Sequence, residues 1–298
     1  MIAPLFDIAW LTIREAARRR LFLVLILITV ASVALSGWGF SQVREALLSN
    51  ADTTGGGIEA GGVTGELALT FIFAQLLILV TFMFSFILAL SAVFIAAPVI
   101  AGELESGVAL TILARPLGRT TYLLGKWLGI ALLVCVYAAL SGIVELVVVG
   151  ALTGYRPPDP VFALAYLCGQ ALVLLTLTIL LSTRLSAITA GVACLAIFGL
   201  AWIGGIIGGI GTAIGEPTVA QVGELSRLLL PTDGLWRGVV YHLQPREMLL
   251  LLDQAGPFTA AFPFVVEAPP PTSFLVWALA WFAVILGLAA VSFSRREI

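Results

Sequence analysis

Glu103 and Glu105, then Arg115, Arg119 and Lys126, form a short charged segment between two long apolar runs. Carboxylates and guanidinium groups in that setting hold partners by ion pairs. Bond-making chemistry needs other residues, and these are scarce. The chain has one histidine, His242, and three cysteines, Cys135, Cys168 and Cys194, each inside an apolar run. Cysteine there behaves as a small hydrophobe, and no disulfide or metal-ligand spacing occurs. An intramembrane serine protease needs a serine and a histidine facing each other inside the membrane. His242 lies in a stretch read as external, and no G-x-S-x-G is present.

Gly125-Lys126 invites a phosphate-loop reading. That loop needs a glycine five residues earlier and Ser or Thr after the lysine, where Thr120 and Trp127 stand. An ATP-driven role therefore needs a separate ATPase partner. No cofactor or metal site is expected in the chain itself, and it is not expected to be an enzyme. Within the charged segment, Leu104, Val108 and Ile112 share one helix face and Glu103 and Gly107 another. Pro116, lacking an N–H, ends that helix.

Composition says what must position these groups. The 298 residues are 60% hydrophobic and 11% charged, against about 25% charged in a soluble domain. This is an integral membrane protein. Six runs are long enough to cross: Leu21–Phe40, Leu67–Ile100, Tyr122–Leu152, Val161–Thr183, Ala187–Ile214 and Ser273–Phe293. Although Ala34-Leu35-Ser36-Gly37 could pass for a cleavage site, the first run continues to Trp38 and Phe40, which suit an interfacial belt, so an uncleaved span is expected.

With the N-terminus inside, ten of the fifteen Lys and Arg fall in the inner segments, against five acids. That bias places both termini in the cytoplasm. Before the first span, Leu5, Phe6, Ala9, Trp10, Ile13, Ala16 and Ala17 recur at helical spacing, with Asp7, Arg14 and Arg18 opposite, which describes an interfacial helix. The Gly-rich loop Ser41–Glu66 reads as external and flexible. In the stretch 215–272, Leu235, Trp236, Val239, Val240 and Leu243 form an apolar stripe, and Pro245 can start a second helix through Asp253. No internal repeat is visible.

Glu103-x-Glu105-x-Gly107, Leu110, Leu113, Arg115-Pro116, Arg119 and Gly125-Lys126 before a span resemble the ABC-2 type permeases of ABC transporters. In that family the matching segment is the coupling helix, which docks on a separate ATP-binding subunit. The resemblance covers most of the chain, including the interfacial helix, the six spans, the insertion and the basic tail Ser294-Arg295-Arg296-Glu297. It implies an all-α polytopic fold in one domain, 1–298, with segments 1–20 (interfacial), 101–119 (coupling) and 215–272 (external two-helix insertion). It also implies an exporter subunit in the plasma or inner membrane, dimerising with a second permease protomer, a copy of itself or a similar permease, and served by ABC ATPase subunits. The coupling residues would be Glu103, Glu105, Leu110, Leu113, Arg115 and Arg119. The alternative is a secondary transporter or channel without an ATPase.

Three carboxylate or carboxamide side chains sit within spans: Gln75, Glu145 and Gln170, at similar depth in the outer half. An ionisable group there is a candidate for the translocation path, or else glue between helices. In the fifth span, Gly204, Gly205, Gly208, Gly209, Gly211 and Gly215 have the spacing that lets helices approach closely.

The topology has a direct test. Cysteine at Gly56 or Ala255 should react with a membrane-impermeant thiol reagent on intact cells, and cysteine at Ser106 should not. Labelling of Ser106→Cys from outside would overturn the six-span arrangement.

Overall fold

A bilayer offers no water to backbone groups, so apolar runs this long fold as helices that pair their own N–H and C=O. The computed structural model describes residues 2–17, 20–54, 59–60, 63–108, 118–248 and 262–296. α1 is Ile2–Ala17, and the six spans lie within α2 Arg20–Thr54, α3 Glu66–Glu105, α4 Arg119–Thr153, α5 Pro160–Ser182, α6 Ala187–Ala213 and α9 Thr272–Ser294. α7 Pro217–Leu229 and α8 Thr232–Leu243 fill the last insertion. The all-α polytopic fold expected from sequence is what forms. Among the described residues the only strands are β1 Glu59–Ala60 and β2 Val63–Thr64, paired antiparallel with Ala60 opposite Val63.

α3 and α5 are central, and α2 and α9 lie at the periphery, facing lipid with most of their apolar residues. α3 has 40 residues, roughly 60 Å at 1.5 Å per residue, so it projects well beyond a bilayer core. The outer core gathers on Phe82, whose ring lies 4.9 Å from Phe86 and Trp202, 5.0 Å from Phe264 and 5.3 Å from Trp236. The inner core joins Ile100, Tyr122, Leu123, Ile130, Ile179 and Phe293.

Two loop expectations are corrected. Ser41 to Thr54, read as flexible loop, continues α2 as helix. Phe40 is buried against Phe73, and Val43 and Leu47 pack on the outer core, so the helix gains from extending. Glu103 and Glu105 were expected on a helix shared with Ile112, which lies outside the described residues. They close the last turn of α3, and Gly107, at φ 74°, breaks the chain there.

The insertion also differs from expectation. Among the described residues it holds Pro217–Leu229, which was not expected, and Thr232–Leu243; residues 246–248 are helical where the helix after Pro245 was expected, and the rest of that helix, to Asp253, lies outside the described residues. The apolar stripe of α8 is buried as its spacing implied, with Trp236, Val239 and Val240 at 0% exposure.

The pair is not wholly external but folds back between the spans. α7 descends against the α6 glycines: a Cβ at Gly211 would lie 2.3 Å from Ala220 N, and one at Gly208 2.4 Å from Gly223 Cα. Near the tip, Asp233 packs on Gly205 and Leu235 on Gly169. These glycines are eight or nine residues from the outer ends of their helices, about 12–14 Å in. At that depth the last carbonyls of α7 need donors. Trp277 Nε1 reaches Leu228 O at 3.2 Å and Trp281 Nε1 reaches Leu229 O at 2.9 Å. Arg227 Nε pairs with Asp233 at 2.6 Å, and Arg237 lies 3.5 Å from the same oxygen.

Gly208→Leu should therefore force α7 away from α6. Overpacking of this kind costs about 1–3 kcal/mol or more, read as a lowered unfolding temperature of the purified protein. Gly199→Leu is the control, since nothing lies within 4 Å of a Cβ there. Equal stability of the two variants would contradict the close α6–α7 contact.

Candidate functional site

Tyr122 and Lys126 lie one turn apart on α4, on the face that meets the end of α3. The same stretch carries Gly125 and Gly129. A Cβ at Gly129 would sit 2.5 Å from the Ala9 carbonyl oxygen, and one at Gly125 2.8 Å from Ile8 Cβ. Only glycine lets α1 lie this close. α1 buries Ala9, Thr12 and Ala16 in that contact and leaves Phe6 and Trp10 exposed. It thereby carries Glu15 to Lys126.

Lys126 is only 6% exposed, and its ammonium pairs with Glu103, itself 8% exposed. Glu15 Oε2 lies 3.4 Å from the same ammonium. The Tyr122 hydroxyl donates to the second oxygen of Glu103. The ammonium also stands 5.8 Å from the Tyr122 ring centroid, within range of a cation–π attraction. Tyr122 stacks in turn on Phe293 of α9, centroids 5.9 Å apart and planes at 18°.

Arginines secure the rest of the inner end. Arg119 donates to the carbonyls of Ser294 at 2.9 Å and Arg296 at 2.8 Å, and Arg184 Nε donates to Ser292 Oγ at 3.0 Å. Arg296 donates to Thr183 O at 2.6 Å. Cations here satisfy helix-end carbonyls and suit the negative end of the helix dipole. Glu105 accepts the Ala187 N–H at 3.3 Å, at the start of α6. The inner ends of α1, α3, α4, α9 and the α5–α6 turn are thus one hydrogen-bonded unit.

The residues expected to couple to a partner divide accordingly. Glu103 turns inward, onto Lys126 and Tyr122. Glu105 is exposed, and Arg119 is half-buried against the end of α9. Leu110, Leu113 and Arg115 lie outside the described residues. Glu15, Tyr122 and Lys126 were not read as a group from sequence. The i, i+4 spacing of Tyr122 and Lys126 and of Gly125 and Gly129 was the available signal, but it does not say what meets that face.

The three carboxylate or carboxamide side chains within spans do not share a hydrogen bond. Glu145, 6% exposed, accepts from Ser36 Oγ of α2 at 2.7 Å. Gln75 Nε2 donates to Phe264 O at 3.3 Å. Gln170 is 3% exposed, and its Oε1, like that of Gln75, is buried without a hydrogen-bond partner among the described residues. His242 stacks between Phe162 and Tyr166 at 5.2 and 5.6 Å, an aromatic packing role. Among the described residues no cluster of His, Cys, Asp or Glu could hold a metal.

A family model described as ABC-2 family transporter protein matches residues 6–298. No curated protein matches the chain. The matched residues take in α1, the charged node and the re-entrant pair.

Removing one partner of a buried ion pair costs about 3–5 kcal/mol, because the other charge is left uncompensated. Glu103→Ala should lose that much unfolding free energy in denaturant titrations, and the double variant Glu103→Ala, Lys126→Met should regain most of it. An equally unstable double variant would show that Lys126 is not the partner that matters.

Proposed function

Because the chain belongs to the ABC-2 family of transporter proteins, we propose that it is the permease subunit of an ATP-driven exporter. It works as a dimer of two copies in the cell membrane with both termini in the cytoplasm. Separate ABC ATPase subunits bind and hydrolyse ATP, and the chain itself binds no nucleotide and no cofactor. They dock on the segment that follows Glu105, through Leu110, Leu113 and Arg115, with Glu105 and Arg119 at its edges.

The observation that carries this reading is the node at Glu103, Lys126 and Glu15. A push on the docking segment reaches Glu103 within a few residues. From there it passes to α1 and α4 through ion pairs that cannot loosen without stranding a buried charge. α3 and α4, roughly 60 and 52 Å long, then act as levers toward the outer half. Glu103 serves as the joint behind the docking surface.

At the outer end, Glu145 joins α4 to α2 through Ser36. We keep it on the translocation path as the group that a parting of α2 from α4 would uncover, with Gln75 and Gln170 deeper among the central helices. Lipid-like or drug-like amphiphiles suit walls this apolar.

Reconstitution with an ABC ATPase subunit that co-purifies with the chain tests the reading. Glu105→Lys with Arg115→Glu should lower permease-stimulated ATP hydrolysis at least about fivefold, the low end of typical coupling energies, while membrane insertion is unchanged. Glu105→Gln, which can still accept from Ala187, should stay near wild type. Wild-type stimulation after both reversals would sink the docking assignment. For the path, Glu145→Gln should alter transport yet keep expression and dimerisation. Unchanged transport in both Glu145→Gln and Glu145→Leu removes Glu145 from the mechanism.

A further inference from the structure

Arg156 borders two cavities of opposite character. On one side is a charged vestibule of about 650 Å³ at the outer face, between the end of α2, the start of α3 and the α4–α5 loop. Its charged groups are Arg44, Arg156, Arg246, Glu66 and Glu247. Arg246 also lies 3.6 Å from Asp159. On the other side is an apolar groove of about 920 Å³ along the lipid face of α4 and α5, walled by Ile143, Val147, Val161 and Leu164. Arg156 is the one charged residue of that groove.

The loop that holds Arg156 is fixed. Gly154, at φ 76°, ends α4, and its N–H donates to Gly150 O at 3.0 Å. The buried Tyr155 hydroxyl donates to Leu243 O. Burial and then the charge of Glu247 push its pKa upward, so it stays a donor. Arg156 itself is exposed and makes no ion pair among the described residues. An exposed cation with no ion pair among the described residues, on a loop held at both sides, thus borders the apolar groove.

We infer that this is a binding site for an acyl-chain amphiphile with an anionic headgroup, such as phosphatidylglycerol. The chain lies in the α4–α5 groove, and the headgroup meets Arg156 at the mouth of the vestibule. A zwitterionic lipid such as phosphatidylcholine fills the groove equally well, but its quaternary ammonium offsets the phosphate that would meet the arginine, so the site selects by net headgroup charge. The inference needs no ATPase and stands apart from the transport reading. Its failure would leave that reading untouched, and the reverse holds too.

Native mass spectrometry of the purified protein with equimolar phosphatidylglycerol and phosphatidylcholine is the test. Wild type should retain the anionic lipid about fivefold more, the factor one interfacial arginine contributes. Arg156→Ser should bring the two lipids to parity, and Val161→Trp, which fills the groove from an exposed position, should reduce retention of both. Neither side chain is buried, so unfolding temperatures should match wild type. Equal retention by wild type, or an unchanged preference in Arg156→Ser, would overturn the site. So would an oxidative cross-link between two copies carrying Val147→Cys, which would make the groove a contact between protomers. If the same lipid also stimulates ATP hydrolysis in the reconstituted complex and is moved between leaflets, it is substrate. If it binds without being moved, it is a resident lipid, and the site stands either way.

Discussion

A lysine at the inner end of an apolar bundle must be neutralised by its own protein, and Glu103 does this for Lys126. The pair is useful because of where its members stand. Glu103 closes the last turn of α3, Lys126 rises from the start of α4, and Glu15 comes from α1. Neither charge can be left behind without the large cost of an uncompensated buried ion. The three helices therefore keep register at this end of the bundle. Tyr122 extends the constraint to α9 by donating to Glu103 while stacking on Phe293.

The outer half meets the same shortage of water with backbone groups. Sending α7 and α8 back between the spans brings helix ends and loop carbonyls to a depth where solvent cannot satisfy them. Trp277 and Trp281 supply donors to the end of α7, Trp236 Nε1 donates to Pro263 O at 2.8 Å, and Asp233 holds Arg227. The α6 glycines remove the side chains that would keep α7 away. Both ends thus use glycine contacts and ion pairs, Gly125 and Gly129 with Lys126–Glu103 at the inner end and the α6 glycines with Arg227–Asp233 at the outer, where the indole donors are added.

Much of the architecture was legible along the chain. All six spans fall where the apolar runs placed them, because hydrophobic length decides crossing with little help from tertiary context. The α1 helix and the buried stripe of α8 followed from spacing alone. The glycine series of α6 was read as a packing surface, and it is one. The inner charged segment was noticed, and the family it resembles is the family to which the chain belongs.

Other features depended on contacts between distant residues. Local pattern joined Glu103 to Ile112 in one helix, but Gly107 takes a positive φ and ends α3 first. The sequence around Ser41–Thr54 is rich enough in small and polar residues to read as loop, yet Phe40, Val43 and Leu47 find an outer core to pack on, so the helix continues. The insertion was read as external from its place between the fifth and sixth spans, and only the contact of α7 with the α6 glycines shows where it goes. By itself the sequence determined where the six membrane-length apolar helices lie, since that follows from hydrophobic length summed along the chain. Tertiary structure decided which buried charge meets which and which helix folds back, since those depend on faces of different helices, brought together across 23 positions for Glu103 and Lys126 and 111 for Glu15 and Lys126.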